Sequence, residues 1–376
     1  MRFPEDVPTL TDGDVTLRAH RPDDLDALVE QCTDPVSVRW TSVPVGYTPE
    51  MGMSYLTDSV PAGWQDDSEW NFAIEATHAD GRRGFSGSIS LRNEGGRRAE
   101  IAYGAHPGAR GRGAMTTAVR LLLDWGFDDR DLETVSWLAE RGNFASRRVA
   151  WRVGFTVGGV VPRWLDHRDL YPDAWIGTLH RDDPREPQTT WYDVPALTGD
   201  TIRLRPQRED DVDRIVEGCN DEATAYWLSF LPSPFTRDDA VEYVMRGFEA
   251  AADGMFLQWA VADLDTDRLL GVVGLPRIRR GSAEVGYWTH PDARGRGVMT
   301  EAVRVLVRHT FLPVAEGGLG LRRLFIKVAA DNVASQHVGV TNGFIRYGVE
   351  RRSEVLRDGS PSDMAMYDLL AEEWKG

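Results

Sequence analysis

Two stretches of this chain carry residue types and a spacing that can close on an anion, and they are nearly the same stretch. HPGARGRGAMTTAVR, from His106 to Arg120, returns 184 residues later as HPDARGRGVMTEAVR, from His290 to Arg304. Arg110, Gly111, Arg112, Gly113 and Ala114 follow an extended segment and open a run with helical apolar periodicity, as do Arg294, Gly295, Arg296, Gly297 and Val298. A helix N-terminus offers free backbone N–H groups and the positive end of the helix dipole, and glycines let a ligand reach them. Two arginines suit a pyrophosphate better than a carboxylate. The segment has neither the Lys-Ser/Thr pair of a P-loop nor the three-glycine dinucleotide fingerprint. A single copy would read equally well as a tight turn with solvated arginines; two copies in matched context favour a binding loop.

The repeat extends beyond the glycines. Val7–Arg18 matches Val194–Arg205, and RPDDLDALVEQC from Arg21 matches REDDVDRIVEGC from Arg208, so duplication begins at each half's first strand. His180–Thr190 is polar, proline-containing and aperiodic, which suits a linker. The expected organisation is a domain at 1–183, a linker at 184–193 and a domain at 194–376, with the boundary near 190. In each half strands precede the glycine turn, and a long amphipathic helix follows it through Ala118, Val119, Leu122, Leu123 and Phe127, or through Ala302, Val303, Leu306, Val307 and Phe311. Asp80-Gly81 and Gly95-Gly96 are hairpin signals between the predicted strands around Phe72–Ala76, Gly84–Leu91 and Glu100–Ala105. The fold class is therefore α/β (α+β): two tandem units, each a mixed, mostly antiparallel sheet flanked by helices.

The strand-turn-helix resembles the acetyl-CoA pyrophosphate loop of the GNAT superfamily of N-acetyltransferases, whose pattern is Arg or Gln, x, x, Gly, x, then Gly or Ala. Each half matches at Arg110 and Gly113, or at Arg294 and Gly297, and places Met115 or Met299 in the last position. The branch that acetylates the N-termini of ribosomal proteins accepts methionine there. AEIAY from Ala99, AEVGYW from Ala283 and DNVASQHVGVTNGF from Asp331 are similar to that branch, with a looser RGNFASRRVAWRVGF from Arg141. The resemblance implies acetyl-CoA as co-substrate, no metal, and direct transfer of acetyl to a primary amine. It implies Glu100 and Glu284 as general bases, Asn143 and Asn332 as CoA contacts, and Ser146 and Ser335 as hydroxyls at the CoA sulfur. The superfamily's usual acid, a tyrosine five residues before the Gly-Phe phenylalanine, is replaced by Ala150 and Gly339. Each assigned residue also has a plain structural use: an exposed strand glutamate, an asparagine N-cap, a first-turn serine.

Bulk properties bound the rest. A net charge of −16 disfavours nucleic acid and anionic membrane and suits an amine-bearing substrate. No apolar run approaches a membrane span and no signal peptide is legible, so the expected compartment is the cytoplasm. Cys32 and Cys219 fall on helix stripes as small buried hydrophobes. His106 and His290 repeat in register but precede proline, where turn packing outweighs catalysis. No metal-ligand spacing and no Ser-His-Asp arrangement is legible. Trp40 and Trp227 follow the first helix at matched positions, and such an aromatic wall takes an apolar side chain or stacks on a cation, unless it simply closes the core. The amine is a protein or peptide N-terminus, or a small amine such as an aminoglycoside or amino sugar, as in a resistance enzyme. A different class stays open, an acyl-CoA-binding sensor or scaffold with one or both halves inactive. Copy two keeps Glu284, Asn332, Ser335 and the closing DMAMYDL in better family form, where copy one has DAWIGTL. A fused pair can mimic a homodimer while remaining monomeric.

Overall fold

The computed structural model describes residues 7–375, which divide into two units between Gln188 and Thr189. The first unit runs β1 (Leu10–Asp12), β2 (Val15–Arg18), α1 (Leu25–Thr33), α2 (Pro35–Trp40), α3 (Pro49–Ser54), α4 (Val60–Gln65), β3 (Glu69–Thr77), β4 (Arg83–Gly95) and β5 (Arg98–Ala105). It continues with α5 (Ala114–Asp128), β6 (Thr134–Glu140), α6 (Phe144–Arg152), β7 (Thr156–Val161) and β8 (Ala174–His180). One sheet in the order β1-β2-β3-β4-β5-β6-β8-β7 holds all eight, and every pairing is antiparallel except β5 with β6. The hairpins fall at the expected glycines: Gly81, Gly95 and Gly96 all have positive φ, which glycine adopts without steric cost. α5 lays Ala118, Val119, Leu122, Leu123 and Phe127 on one face of the sheet, each at most 2% exposed. Full burial of a leucine on this stripe stabilises by about 1.5–3 kcal/mol. α1 covers the other face through Leu28 and Cys32, with Leu56 and Phe85.

The second unit repeats the plan with β9 (Leu197–Thr198), β10 (Ile202–Arg205), α7 (Val212–Asn220), α8 (Glu222–Trp227), α9 (Arg237–Ala252), β11 (Leu257–Asp263), β12 (Leu269–Leu275), β13 (Ser282–Glu284) and β14 (Gly286–Thr289). After the glycine turn come α10 (Val298–Phe311), β15 (Arg323–Ala329), α11 (Val333–Thr341), β16 (Ile345–Val355) and β17 (Pro361–Leu370). Here the strand matching β5 breaks at Val285, so the sheet parts into β14-β12-β11-β10-β9 and β13-β15-β17-β16. In both units an arginine at the end of the second strand anchors the first helix from within. Arg18 forks onto Asp24 at 2.8 Å and Arg205 onto Asp211 at 2.8 and 2.9 Å, all four side chains nearly buried. The ion pair repeats because the same turn repeats.

The segment between the units is not loose chain. The carbonyl of Pro184 lies 2.2 Å from where a Cβ on Gly154 would stand, so 184–186 is laid closely on the first unit. Thr190 approaches Gly254 in the same way, and Tyr192 N–H donates to the Ala251 carbonyl at 2.9 Å within the second. Among the described residues no helix is long and apolar enough to cross a membrane.

Candidate active site

The site begins where two strands separate. β5 and β6 pair in parallel only from Arg98 with Thr134 to Ile101 with Trp137. Beyond that β5 stays with β4 while β6 follows β8. A wedge opens between 102–105 and 138–140. In the second unit β13 pairs with β15 up to Glu284 opposite Phe325, Val285 N–H makes one further bond to the Phe325 carbonyl at 2.8 Å, and β14 then leaves with β12. Glu284 therefore stands at the last paired rung and Glu100 one rung before it, each close to the apex of its wedge.

Burial pushes both carboxyls above the ordinary carboxylate pKa. The opposing cations differ. Arg92, the cross-strand partner of Glu100, reaches its Oε1 at 3.0 Å and pulls the pKa back down. Glu284 is only 18% exposed, and its nearest cation, Arg277 at 3.6 Å, is 76% exposed; Lys327 also lowers it, while Glu354 and Glu350 raise it. Glu284 is thus the less tightly paired carboxyl.

At the far end of β5 the glycine turn has the geometry of an anion cradle. Gly111 and Gly113 have φ of 75° and 85°, Gly295 and Gly297 of 71° and 77°, and nothing lies within 4 Å of a Cβ built on any of them. α5 and α10 start at Gly113 and Gly297 with no side chain capping them, so the first-turn N–H groups face out. These residues fit a pyrophosphate. The opening arginines, however, are already engaged. Arg110 Nη2 meets Asp34 Oδ1 at 2.5 Å, Ser37 Oγ at 3.0 Å and the Ala105 carbonyl at 3.2 Å. Arg294 binds Asp221, and Thr224 at 2.7 Å. The sequence shows arginines next to glycines but not an aspartate arriving from the first helical turn of another element. Arg112 and Arg296, between the glycines of each turn, are exposed.

Asn143 and Asn332 are N-caps, each accepting from Ser146 N–H or Ser335 N–H at 3.1 Å. Both serines are held across the wedge by a tyrosine that sequence reasoning passed over. Tyr103 Oη donates to the Ser146 carbonyl at 3.1 Å and accepts from Ser146 Oγ at 3.0 Å, while Trp137 Nε1 donates to that Oγ at 3.0 Å. Tyr287 Oη donates to the Ser335 carbonyl at 2.9 Å and lies 3.0 Å from its Oγ, where either oxygen can donate. Ile326 stands where Trp137 was, so Ser335 keeps a freer hydroxyl. Burial pushes Tyr287 up to about 12 and Tyr103 higher still, so both remain protonated in neutral solution. The signal was the tyrosine three residues after each glutamate in AEIAY and AEVGY. The usual acid has no room: a Cβ on Gly339 would already stand 3.1 Å from Ile326 Cδ1, and Ala150 is 1% exposed.

His106 and His290 are buried; His106 Nδ1 accepts from Gly108 N–H at 3.1 Å and His290 Nδ1 donates to Asp292 Oδ1 at 2.8 Å, which is turn packing. Trp40 carries its own cation, with Arg39 Cζ 4.0 Å from the ring centroid. Trp227 lines a surface pocket of about 480 Å³ together with Asp221, Glu222, Ala223 and Tyr226. Among the described residues no three of His, Cys, Asp and Glu gather as metal ligands.

Comparison with known proteins identifies a family. The family described as acetyltransferase (GNAT) domain matches residues 14–156 and again 201–345. The ribosomal-protein-serine acetyltransferase of Escherichia coli is 37% identical over 108 residues, 28% of this chain and 57% of that protein. The uncharacterized N-acetyltransferase YoaA of Bacillus subtilis is 27% identical over 180 residues, 47% of this chain and 97% of that one. Among solved structures, Mycobacterium smegmatis RimJ in complex with CoA-disulfide is similar at 21% identity and a TM-score of 0.43, covering 50% of this chain and 91% of that one.

Proposed function

The chain belongs to the GNAT acetyltransferase family, whose domain it carries twice, and on that premise we propose that it transfers acetyl from acetyl-CoA to a primary amine by direct attack within a ternary complex. One observation carries this reading: in each unit a glutamate whose pKa burial raises stands close to where two strands part, in the extended run that leads to an uncapped glycine helix start, unbroken as β5 in the first unit and divided into β13 and β14 in the second. The N–H groups of 111–116 and 295–300 hold the pyrophosphate, with Arg112 and Arg296 beside them. Acetyl-CoA supplies its acetyl as a thioester, activated toward an amine. Glu284 Oε takes the proton of the incoming ammonium, directly or through water, so that the nitrogen lone pair is free to attack. Attack on the thioester carbonyl gives a tetrahedral intermediate whose collapse breaks the C–S bond; Ser335 Oγ, held by Tyr287 Oη, gives a proton to the leaving thiolate and recovers the remaining proton of the nitrogen, directly or through water. Glu100, Ser146 and Tyr103 form the matching set in the first unit.

Similarity to the ribosomal-protein-serine acetyltransferase supports a peptide α-amine as acceptor. A second reading applies to the first unit alone, as a binder of CoA with slow transfer. It is favoured by Arg92, which pairs with Glu100, and by Trp137, whose indole N–H donates to Ser146 Oγ where the second unit has Ile326. Cytoplasmic residence and a monomeric state, with the fused pair in place of a dimer, complete the proposal. The test is incubation of the full chain with acetyl-CoA and a panel of serine-, alanine- and small-amine acceptors, followed by mass spectrometry. Acetylated product that disappears in the Glu100→Gln, Glu284→Gln double variant supports the reading; absence of transfer to every primary amine refutes it.

A further inference from the structure

The two copies treat the same aromatic position in opposite ways, and the difference points to a ligand. In the first unit α2 bears Pro35, Val36, Arg39 and Trp40; the matched residues of α8 are Glu222, Ala223, Tyr226 and Trp227. Arg39 lies over the Trp40 ring at 4.0 Å while its Nη2 pairs with Glu140 Oε1 at 2.7 Å. The aromatic face of the first unit is thus filled by the chain's own guanidinium, which a carboxylate holds in place. In the second unit the arginine has become tyrosine and Glu140 is matched by Ala329, and among the described residues no cation stacks on Trp227. A pocket of about 480 Å³ stands at that place, bounded by Tyr226 and Trp227, whose rings meet edge to face 4.7 Å apart, and by Glu222. Its other carboxylate, Asp221, is neutralised by Arg294 of the glycine loop, which also fixes the pocket beside the proposed active site. Glu222 makes no ion pair among the described residues.

Two aromatic faces and one uncompensated carboxylate are the chemistry that recognises an organic cation. We infer that this pocket binds a guanidinium or ammonium carried by the acceptor in addition to the amine that is acetylated, so that the second unit selects acceptors with a second positive charge. The inference rests on the amine-acetyltransferase reading, and Glu222, Tyr226 and Trp227 are its specificity-determining residues.

The full chain, assayed with serine tripeptide amides bearing arginine or norleucine at the second or third position, should show a KM roughly tenfold lower for an arginine peptide, the scale of a partly desolvated cation–π contact. Tyr226→Arg, which installs the first unit's own filling, should erase that preference. Nα-acetyl-argininamide has no amine to acetylate, and its calorimetric titration into the full chain reports the pocket independently of turnover. Binding that is lost in Tyr226→Arg supports the inference. Equal KM for the two peptide classes, or argininamide binding that survives Tyr226→Arg and Glu222→Gln, overturns it. If no amine is acetylated at all, the proposed function fails while the argininamide titration still decides the pocket.

Discussion

Replacing Gly297 by glutamate separates charge from shape at the second cradle. The residue has φ of 77° and nothing within 4 Å of its Cβ position, so a side chain there enters open space on the loop's outer face. Forcing an L-residue into the left-handed region costs about 1–2 kcal/mol, which lowers folding stability but leaves the outward N–H groups in place. A carboxylate about 4 Å from a phosphate charge adds roughly 4 kcal/mol of repulsion at an effective dielectric of about 20. That is about a thousandfold in Kd. Gly297→Ala keeps the strain and lacks the charge, so it serves as control. Titration calorimetry of the full chain with CoA should give two equivalents for the native protein and for Gly297→Ala, and one for Gly297→Glu. Gly113→Glu should remove the other. Two equivalents in both glutamate variants would refute the assignment of these loops. Alanine emptying a site as thoroughly as glutamate would show that backbone conformation, and not an anion at the helix start, governs binding.

Glu284→Gln should lower kcat/KM at neutral pH by about 10²–10⁴-fold, the usual worth of a general base, and what remains measures the first unit. In the native chain the acid limb of kcat/KM should lie above the ordinary glutamate range, since activity is lost as pH falls through a pKa that burial has raised. In a Glu284→Gln background, Arg92→Met should move the remaining acid limb to higher pH, because the guanidinium that favours ionised Glu100 is gone; an unmoved limb would remove Glu100 from the mechanism. Tyr287→Phe should reduce kcat about 2- to 10-fold, the worth of one buried hydrogen bond, while the KM for acetyl-CoA holds steady. A rise in that KM at constant kcat would make the tyrosine a structural strut only.

The frame was legible because its periodicities are unambiguous. Leu122, Leu123 and Phe127 recur at helical spacing, and glycines with positive φ punctuate the β3–β4 and β4–β5 hairpins. What escaped depends on residues far apart in sequence. Asp34 meets Arg110 across 76 residues and Tyr103 meets Ser146 across 43, and neither contact leaves a local pattern. The strand break at Val285 was also hidden, since AEVGY alternates as smoothly as AEIAY; only the pairing shows that one copy continues as a strand and the other divides. Arg39 next to Trp40 was visible as adjacent letters, but its stacking depends on Glu140, at the end of a strand a hundred residues later.

Asp34 and Asp221 each serve two elements. Each caps the short helix that carries Trp40 or Trp227 and also holds the arginine that opens the glycine loop. Burial raises both carboxyls, yet the arginine and the helix N–H groups hold them below the ordinary range, so the joint stays charged. A substitution at either aspartate would therefore loosen cosubstrate and acceptor sides together, which leaves the residues beyond the cap as the ground where one side can drift alone. The two copies differ in that way: Pro35, Val36 and Arg39 have become Glu222, Ala223 and Tyr226, while the aspartate is the same in both. On the proposed function, duplication gave the chain two acceptor helices on one kept aspartate joint, and within α2 and α8 the residues just beyond the cap have changed while the joint has not.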